Sequence, residues 1–323
     1  MTEPDRILKL GIPTGSLEKA TLDLMARAGY DVQTSERSYL PRIDDPQIEV
    51  VMLRAQEMSR FVEDGILDAG LTGKDWIAEN GSKVHVVSDL IYAKSSLAKV
   101  RWVLAVLDES PVQKPEDLEG GLIVTELVKV TEAYFRTRSI MVKVEFSWGA
   151  TEIKAKLIVP RSDNLPLVSW GTKDFKERTL YIEKGRHGAI VDVTETGSSL
   201  RANRLRIIDT IMESNTQFIA NLNSWKDPWK RRKIENLAML LQAAIDAKEM
   251  VGLKMNVPPE CKDKIVELLP AEKSPTVSTL VGRSGWCAIE VILPAAKERE
   301  LVPELKRAGA TGIIVYPLNK IVH

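Results

Sequence analysis

Ala189-Ile190-Val191-Asp192-Val193-Thr194-Glu195-Thr196-Gly197-Ser198-Ser199-Leu200-Arg201-Ala202-Asn203 runs an apolar segment into a loop of small, hydroxyl-bearing residues around one glycine. Ala189, Ile190, Val191 and Val193 read as a buried strand. Thr194, Thr196, Gly197, Ser198 and Ser199 supply amides and hydroxyls that can surround a phosphate where that strand ends. Asp192 and Glu195 would repel a phosphate they faced, so they address either ribose hydroxyls or a metal on a pyrophosphate. In outline this is a sugar-phosphate site at the carboxyl end of a strand, the place where open α/β sheets bind ligands.

Working outward, the first half of the chain repeats the same strand, loop, helix unit. A strand at Ile7 to Ile12 leads into a helix from about Ser16 to Ala28, with Leu17, Ala20, Thr21, Leu24 and Ala28 on one face at helical spacing. Further units start at Ala69 to Leu71, Arg101 to Leu107 and Leu122 to Thr125. The expectation is an α/β, two-lobed catalytic region: lobe I from 1–97 with 206–225, and lobe II from 98–205. Residues 214 to 230 hold Asn215, Asn221, Asn223 and Pro228, which mark a boundary or exposed crossing. A connecting helix follows over 226–250, capped by Asp227 with Pro228 as its first residue and striped by Ile234, Leu237, Leu241, Ala244 and Ile245. Its basic run, Lys230 to Lys233, reads as a solvated side. From 251 to 323 the order becomes βαββαβ, a ferredoxin-like domain.

Composition narrows the function. The 323 residues carry 45 Lys plus Arg against 45 Asp plus Glu, so no global field favours nucleic acid or an acidic membrane, and the partner is a small molecule. Cys261 and Cys287 lack a CxxC spacing or a histidine companion, which argues against a zinc site and for a reduced, cytoplasmic protein. The polar start lacks the apolar core of a signal peptide, and no apolar run of membrane-spanning length occurs. None of His85, His187 and His323 is assigned as a catalytic base. Trp76, Trp102 and Trp148 are read as core packing.

The loop resembles the 5-phosphoribosyl-1-pyrophosphate loop of the ATP phosphoribosyltransferases. So do Gly11-Ile12-Pro13-Thr14-Gly15-Ser16-Leu17, Arg37-Ser38-Tyr39, Leu53-Arg54-Ala55-Gln56-Glu57, Asp68 to Trp76, Val100-Arg101-Trp102, Thr125-Glu126-Leu127-Val128 and Phe146-Ser147-Trp148-Gly149-Ala150-Thr151-Glu152. The C-terminal signatures, including Ser274-Pro275-Thr276-Val277 and Tyr316-Pro317-Leu318-Asn319-Lys320, are similar to the histidine-binding regulatory domain of the family's long form. The resemblance implies a two-lobed periplasmic-binding-protein-like catalytic region. It implies condensation of ATP with phosphoribosyl pyrophosphate, Mg²⁺ as cofactor, histidine as feedback inhibitor, and a homo-hexamer built from dimers with no accessory regulatory subunit. It places Gly15, Ser16, Arg37, Arg54, Gly73, Asp75 and Arg101 at ATP or pyrophosphate. Asp192 and Glu195 become candidates for Mg²⁺, and Asn256, Thr276 and Gly312 for histidine. Asp75 as a plain helix N-cap stays open beside its nucleotide role.

Three departures bear on this reading. Thr14 stands where the family often carries lysine, and Asn256 replaces an acidic residue of some relatives. Lys154 to Lys184 also intervenes where the family needs only a few residues, an excursion in which Leu157 to Val159 and Thr179 to Ile182 can pair as an added hairpin, or a local reading-frame error. The competing reading is a non-catalytic small-molecule-binding protein with a two-lobed solute-binding-like fold.

Overall fold

The computed structural model describes residues 6–35, 38–92, 99–147, 149, 151–158, 187–270 and 275–323. The chain divides into two compact units, Met1–Thr21 with Gln33–Ile234 and Leu22–Val32 with Glu235–His323. In chain order the elements up to the first unit's midpoint are β1 (Leu8–Thr14), α1 (Glu18–Ala28), β2 (Val32–Ser35), β3 (Ser38–Ile43), β4 (Ile48–Arg54), α2 (Ala55–Glu63), β5 (Ala69–Gly73), α3 (Lys74–Asn80) and β6 (His85–Leu90). There follow β7 (Val100–Leu107), β8 (Leu122–Thr125), α4 (Val128–Thr137), β9 (Lys143–Phe146), α5 (Thr151–Ile158), β10 (Gly188–Thr194), α6 (Ser198–Ala202), β11 (Leu205–Ser214), β12 (Thr216–Ala220) and α7 (Pro228–Asp246). The remainder is β13 (Met250–Val257), α8 (Lys262–Leu268), β14 (Thr276–Thr279), β15 (Cys287–Pro294), α9 (Ala295–Arg307) and β16 (Thr311–Pro317).

The first unit is built on two five-stranded sheets, ordered β4-β1-β5-β12-β6 and β11-β7-β10-β8-β9. In the first, β4, β1 and β5 run parallel, so the turns that follow them into helices lie at one edge. In the second, β9, β8 and β10 run parallel and β7 and β11 antiparallel to their neighbours. The central strands are near-continuous apolar runs because helices cover both their faces. Each fully buried aliphatic side chain among them, such as Leu10, Leu71, Leu104 or Val191, contributes roughly 1.5–3 kcal/mol.

The sequence-drawn boundaries shift: Leu22–Val32 and the helix from Glu235 group with the C-terminal unit, and the split between the two sheets moves as well. Leu205 to Ser214 pairs with β7 along its length, from Leu205↔Leu107 to Ser214↔Val100, so residues 206–214 belong to the second sheet and not to lobe I. The chain changes sheets at Asn215. What reads as an exposed crossing is then a core strand: β12 is buried at every residue, between β5 and β6. The asparagines mislead because Asn221 is buried and satisfied. Its Nδ2 donates to Val62 O at 2.8 Å and Glu63 O at 3.0 Å, closing the end of α2, while its Oδ1 accepts from the amides of Asn223 and Ser224.

Helix α7 starts as expected, with Asp227 Oδ1 accepting from the amides of Trp229 and Lys230, and its apolar stripe is buried. Its basic run is not a solvated side throughout. Lys230 Nζ sits 2.6 Å from buried Asp68, and Lys233 Nζ 2.6 Å from Asp45. Both carboxylates lie on the same unit as the first turn of the helix, so the run anchors it.

In the second unit the strand order β14-β15-β13-β16, all antiparallel, is ferredoxin-like. Leu253, Met255 and Val257 of β13, Ile289 and Val291 of β15, and Leu301 and Leu305 of α9 form its core. Cys287 belongs to this core, with Cys261 packed against it, and both are free thiols. Of the expected hairpin at Lys154 to Lys184, Leu157 lies in α5 and is therefore helical; residues 159–186 are outside the described residues.

Candidate functional site

The carboxyl edges of the two sheets line one cavity of about 1200 Å³ in the first unit. That exceeds the ~300–1000 Å³ of a typical single-ligand pocket, which suits two substrates. From the first sheet come Thr14 to Glu18, Arg54 to Glu57, Gly73 and Asp75; from the second come Val100, Trp102, Glu126, Asp192 to Glu195 and Ser214. Of the residues singled out in the sequence, Gly15, Ser16, Arg54, Gly73, Asp75, Asp192, Thr194 and Glu195 line it. Thr196, Gly197, Ser198 and Ser199 continue the same loop beyond the lining. Arg101 is not among the lining residues: cross-strand pairing with Thr194 puts it on the sheet face of Asp192, opposite Val100 and Trp102. Arg37 lies outside the described residues.

The 194–199 loop is held by its own side chains. Thr194 Oγ1 accepts the Gly197 amide at 2.7 Å, and the Thr196 and Ser198 hydroxyls lie 3.0 Å apart. Gly197 adopts φ +74, the left-handed conformation that favours glycine, and a Cβ there would stand 3.0 Å from the movable end of Arg201. Ser199 Oγ donates to Glu152 Oε1 at 2.6 Å.

Asp192, at the entrance of this loop, lies beside the Glu152 carboxyl. Burial first, then the nearby Glu152 and Glu126 charges, push its carboxyl up to about 7, against the opposing effect of the Val193 amide. Glu126 and Glu152 stand in motifs quoted from the sequence, but nothing in their spacing there marks them as neighbours of Asp192; the pairing of β8 with β10 and the placement of α5 bring them together.

Asp75 lines the cavity but is not the N-cap of its helix. The N-cap of α3 is Gly73, whose missing Cβ would fall 2.0 Å from Asp75 Oδ1. The buried Asp75 carboxylate accepts Trp102 Nε1–H at 2.6 Å and the Trp76 amide at 2.9 Å. Burial raises its carboxyl above the usual range while these donors oppose the shift. The bond to Trp102 ties the helix after β5 to β7 of the other sheet. Glu79, one turn on, receives the Lys129 and Val130 amides at 3.0 Å each at the start of α4, so one helix holds both lobes. Trp76 and Trp102, read as core, meet edge to face at 6.2 Å and both line the cavity. Tyr92 lines it too; burial pushes its phenol up to about 12, and its OH lies 2.8 Å from Thr21 Oγ1.

For a metal, the described residues contain no group of three or more His, Cys, Asp or Glu placed to hold one. The oxygen donors at hand are carboxylates, which fits Mg²⁺, an ion bound through one or two carboxylates together with substrate phosphates.

In the second unit, the cross-strand register puts Asn256, Thr276 and Gly312 on the helix-free face of the sheet, with Lys254 and Glu290. Asn256 and Gly312 are neighbours: a Cβ on Gly312, at φ +56, would lie 3.1 Å from Asn256 Nδ2. Thr276 is on the edge strand, two strands from Asn256 and so about 10 Å away; the structure does not bring it into contact with the other two.

Fold and cavity together define a class: a two-lobed α/β protein whose strand-end loops line one large cavity, extended by a ferredoxin-like domain. Sequence comparison makes the class particular. The family model described as HisG: ATP phosphoribosyltransferase matches residues 54–160 and 180–243, and that of the HisG C-terminal domain matches 247–320. An ATP phosphoribosyltransferase of Solibacter usitatus is 52% identical over 98% of this chain and 99% of its own length, and one of Chlorobaculum parvum is 49% identical over the whole of both. The chain belongs to the ATP phosphoribosyltransferase family, in its long form. A solved ATP phosphoribosyl transferase (HisG:HisZ) complex from Thermotoga maritima matches with TM-score 0.55 at 24% identity, covering 74% of this chain and 99% of that one, which agrees on the fold. The first family match leaves out 161–179, within 154–184, whereas the Chlorobaculum parvum relative aligns over 322 residues and the whole of both chains, so a chain of this length is shared with it. The non-catalytic reading finds no support.

Proposed function

We propose that the 1200 Å³ cavity is where this chain condenses ATP with 5-phosphoribosyl-1-pyrophosphate to N1-(5-phosphoribosyl)-ATP and pyrophosphate, the first step of histidine biosynthesis. The observation that carries the reading is the meeting of two strand-to-helix loops, 14–18 and 192–195, across one space large enough for both substrates. In the reaction N1 of adenine attacks C1′ of the ribose as the bond from C1′ to pyrophosphate breaks, so no covalent nucleophile is required. The protein aligns the pair and stabilises charge.

Each named residue has a role in that alignment. The 194–199 loop takes the 5′-phosphate, with the hydroxyls of Thr196 and Ser198 and the backbone at Gly197 and Ser199 as contacts. Asp192 and Glu195 face the ribose hydroxyls and are the carboxylates at hand for Mg²⁺, which when bound offsets charge on the departing pyrophosphate. Gly15, Ser16 and Arg54 address the polyphosphate, and Arg37 and Arg101 add positive charge. Asp75 and Gly73 fix the wall against which the nucleotide lies.

The helix-free face at Asn256, Thr276 and Gly312 is the histidine site, which makes this chain a feedback-inhibited enzyme needing no accessory subunit. The assembly is a homo-hexamer built from dimers, and the protein works in the cytoplasm. Purified chain with both substrates and Mg²⁺ should release pyrophosphate and raise the product's ultraviolet absorbance; lack of phosphoribosyl-dependent turnover would defeat the proposal. Thr276→Val, which removes one hydroxyl at nearly constant volume, should weaken histidine inhibition by about tenfold with kcat unchanged. Equal inhibition constants would remove Thr276 from the site.

A further inference from the structure

We infer that Glu152 is a positioning residue that fastens the far end of the 194–199 loop to α5 and so sets its shape for the phosphoribosyl substrate. The inference rests on the reading of that loop given above. Glu152 does not line the cavity, whereas Asp192 does, so it acts through other residues. Its carboxylate accepts from Ser199 Oγ at 2.6 Å, at the end of the loop, and stands beside Asp192, just before it.

The backbone around Glu152 is fixed. It lies in the first turn of α5, and one turn later Ala155 is buried in the same core cluster as Ile190 of β10 and Leu200 of α6. Residues three apart share a helix face, so the packing that seats Ala155 aims Glu152 at the loop. One side chain thereby joins the helix that leaves the loop to the helix packed beside it. The internal bonds of the loop, Thr194 to Gly197 and Thr196 to Ser198, are local and do not reach outside it. Glu152 fastens its far end.

A glutamine can keep the bond, accepting from Ser199 through Oε1, whereas alanine loses it. Amide exchange and steady-state kinetics on the full-length Glu152→Ala and Glu152→Gln chains separate the possibilities. In Glu152→Ala, without substrate, exchange over 194–203 should accelerate about tenfold while the β10 amides 189–193, which report the intact fold, stay as protected as in the parent. The KM for phosphoribosyl pyrophosphate should rise about tenfold with kcat within about twofold, the loss expected for hydrogen bonds to charged groups. Glu152→Gln should restore both readouts. Unchanged loop exchange in Glu152→Ala overturns the inference. So does a glutamine variant as impaired as the alanine one, because the charge itself would then be acting. If exchange responds as stated but only the KM for ATP moves, the tie stands and the phosphoribosyl reading of the loop is what fails.

Discussion

The two strand-to-helix loops that meet at the cavity look alike in sequence and differ in how they are held. Each turns on a glycine with positive φ, +80 at Gly15 and +74 at Gly197, and each opens a helical segment. Around Gly15 nothing stands within 4 Å of where a Cβ would be, and its amide reaches only the exposed Glu18 carboxylate at 3.2 Å. Around Gly197 the amide is taken by Thr194, the Arg201 guanidinium closes in, and Ser199 is fastened to Glu152. The second loop is shaped before any ligand arrives, at the cost of tolerating little change. The first is bare, and its ligand contributes more of its order. Preorganised donors aimed at developing charge act without reorganisation at the moment of reaction, so substitutions in the second loop should be the more damaging.

The sharpest contrast is Gly197→Asp. The new side chain imposes a strained φ, crowds Arg201 and sets a negative charge where the backbone approaches a phosphate. Turnover should fall by about a hundredfold or more, since several effects of roughly 1–3 kcal/mol combine, while circular dichroism stays near that of the parent. A folded variant with unchanged phosphoribosyl pyrophosphate affinity would dissolve the distinction between the loops.

Next in size is Arg54→Ala. Arg54 is exposed at the end of β4 and lines the cavity beside the bare loop. Removing one charge-assisted contact worth about 1.5–3 kcal/mol should lower kcat/KM for ATP by roughly tenfold to a hundredfold, with thermal stability unaltered. Parental kinetics would make Arg54 a surface charge.

How much of this was legible in the chain follows from range. The elements announced by local period and punctuation emerge where expected: the strand ahead of Thr194, the Asp227-capped helix, and the βαββαβ order of the C-terminal unit. Burial in β12 was hidden because Asn215 and Asn221 read as loop residues until the partners of Asn221, about 160 positions earlier in sequence, are known. The same holds for Asp75. Its indole donor is Trp102, 27 residues on and in the other sheet, so a carboxylate that looked free for a nucleotide or a cap is occupied by a link between lobes. The carboxyl neighbours of Asp192 come from α5 and the end of β8, which only the sheet order assembles. Lys230 and Lys233 looked solvated because their acidic partners, Asp68 and Asp45, precede them by more than 160 residues.

A gentler probe of the comparison is Gly15→Ala. With open space around the position, the methyl group meets no neighbour and the cost is the left-handed backbone alone, about 1–2 kcal/mol. Because the loop is bare it can relax on binding, so the KM for ATP should rise only about fivefold, the equivalent of ~1 kcal/mol. The same change at Gly197, where the methyl group also presses on Arg201, should raise the KM for phosphoribosyl pyrophosphate further. Equal penalties at the two positions would mean that both loops are equally preformed.

The smallest effect concerns the pH dependence that the tied loop brings with it. Asp192 in the folded chain titrates at about 7, against 3.8 as the ordinary value. Between those two values the native state holds a proton that the unfolded state has released, so stability falls as pH rises from about 4 to about 7 and is level above that. Glu152 and Glu126 are the carboxylates that face Asp192. Asp192→Asn cannot ionise, so its thermal midpoint should not share this decline. With a chelator present, the difference in midpoint, variant minus parent, should grow between pH 4 and pH 8. The growth should be about 2–4 °C, the shift that ~1 kcal/mol produces in a chain of this size, once the pairing is discounted for solvent screening. A difference that stays constant with pH, or shrinks, would show that Asp192 is already ionised at pH 4. The loop's entrance would then be no more constrained than that of its bare counterpart.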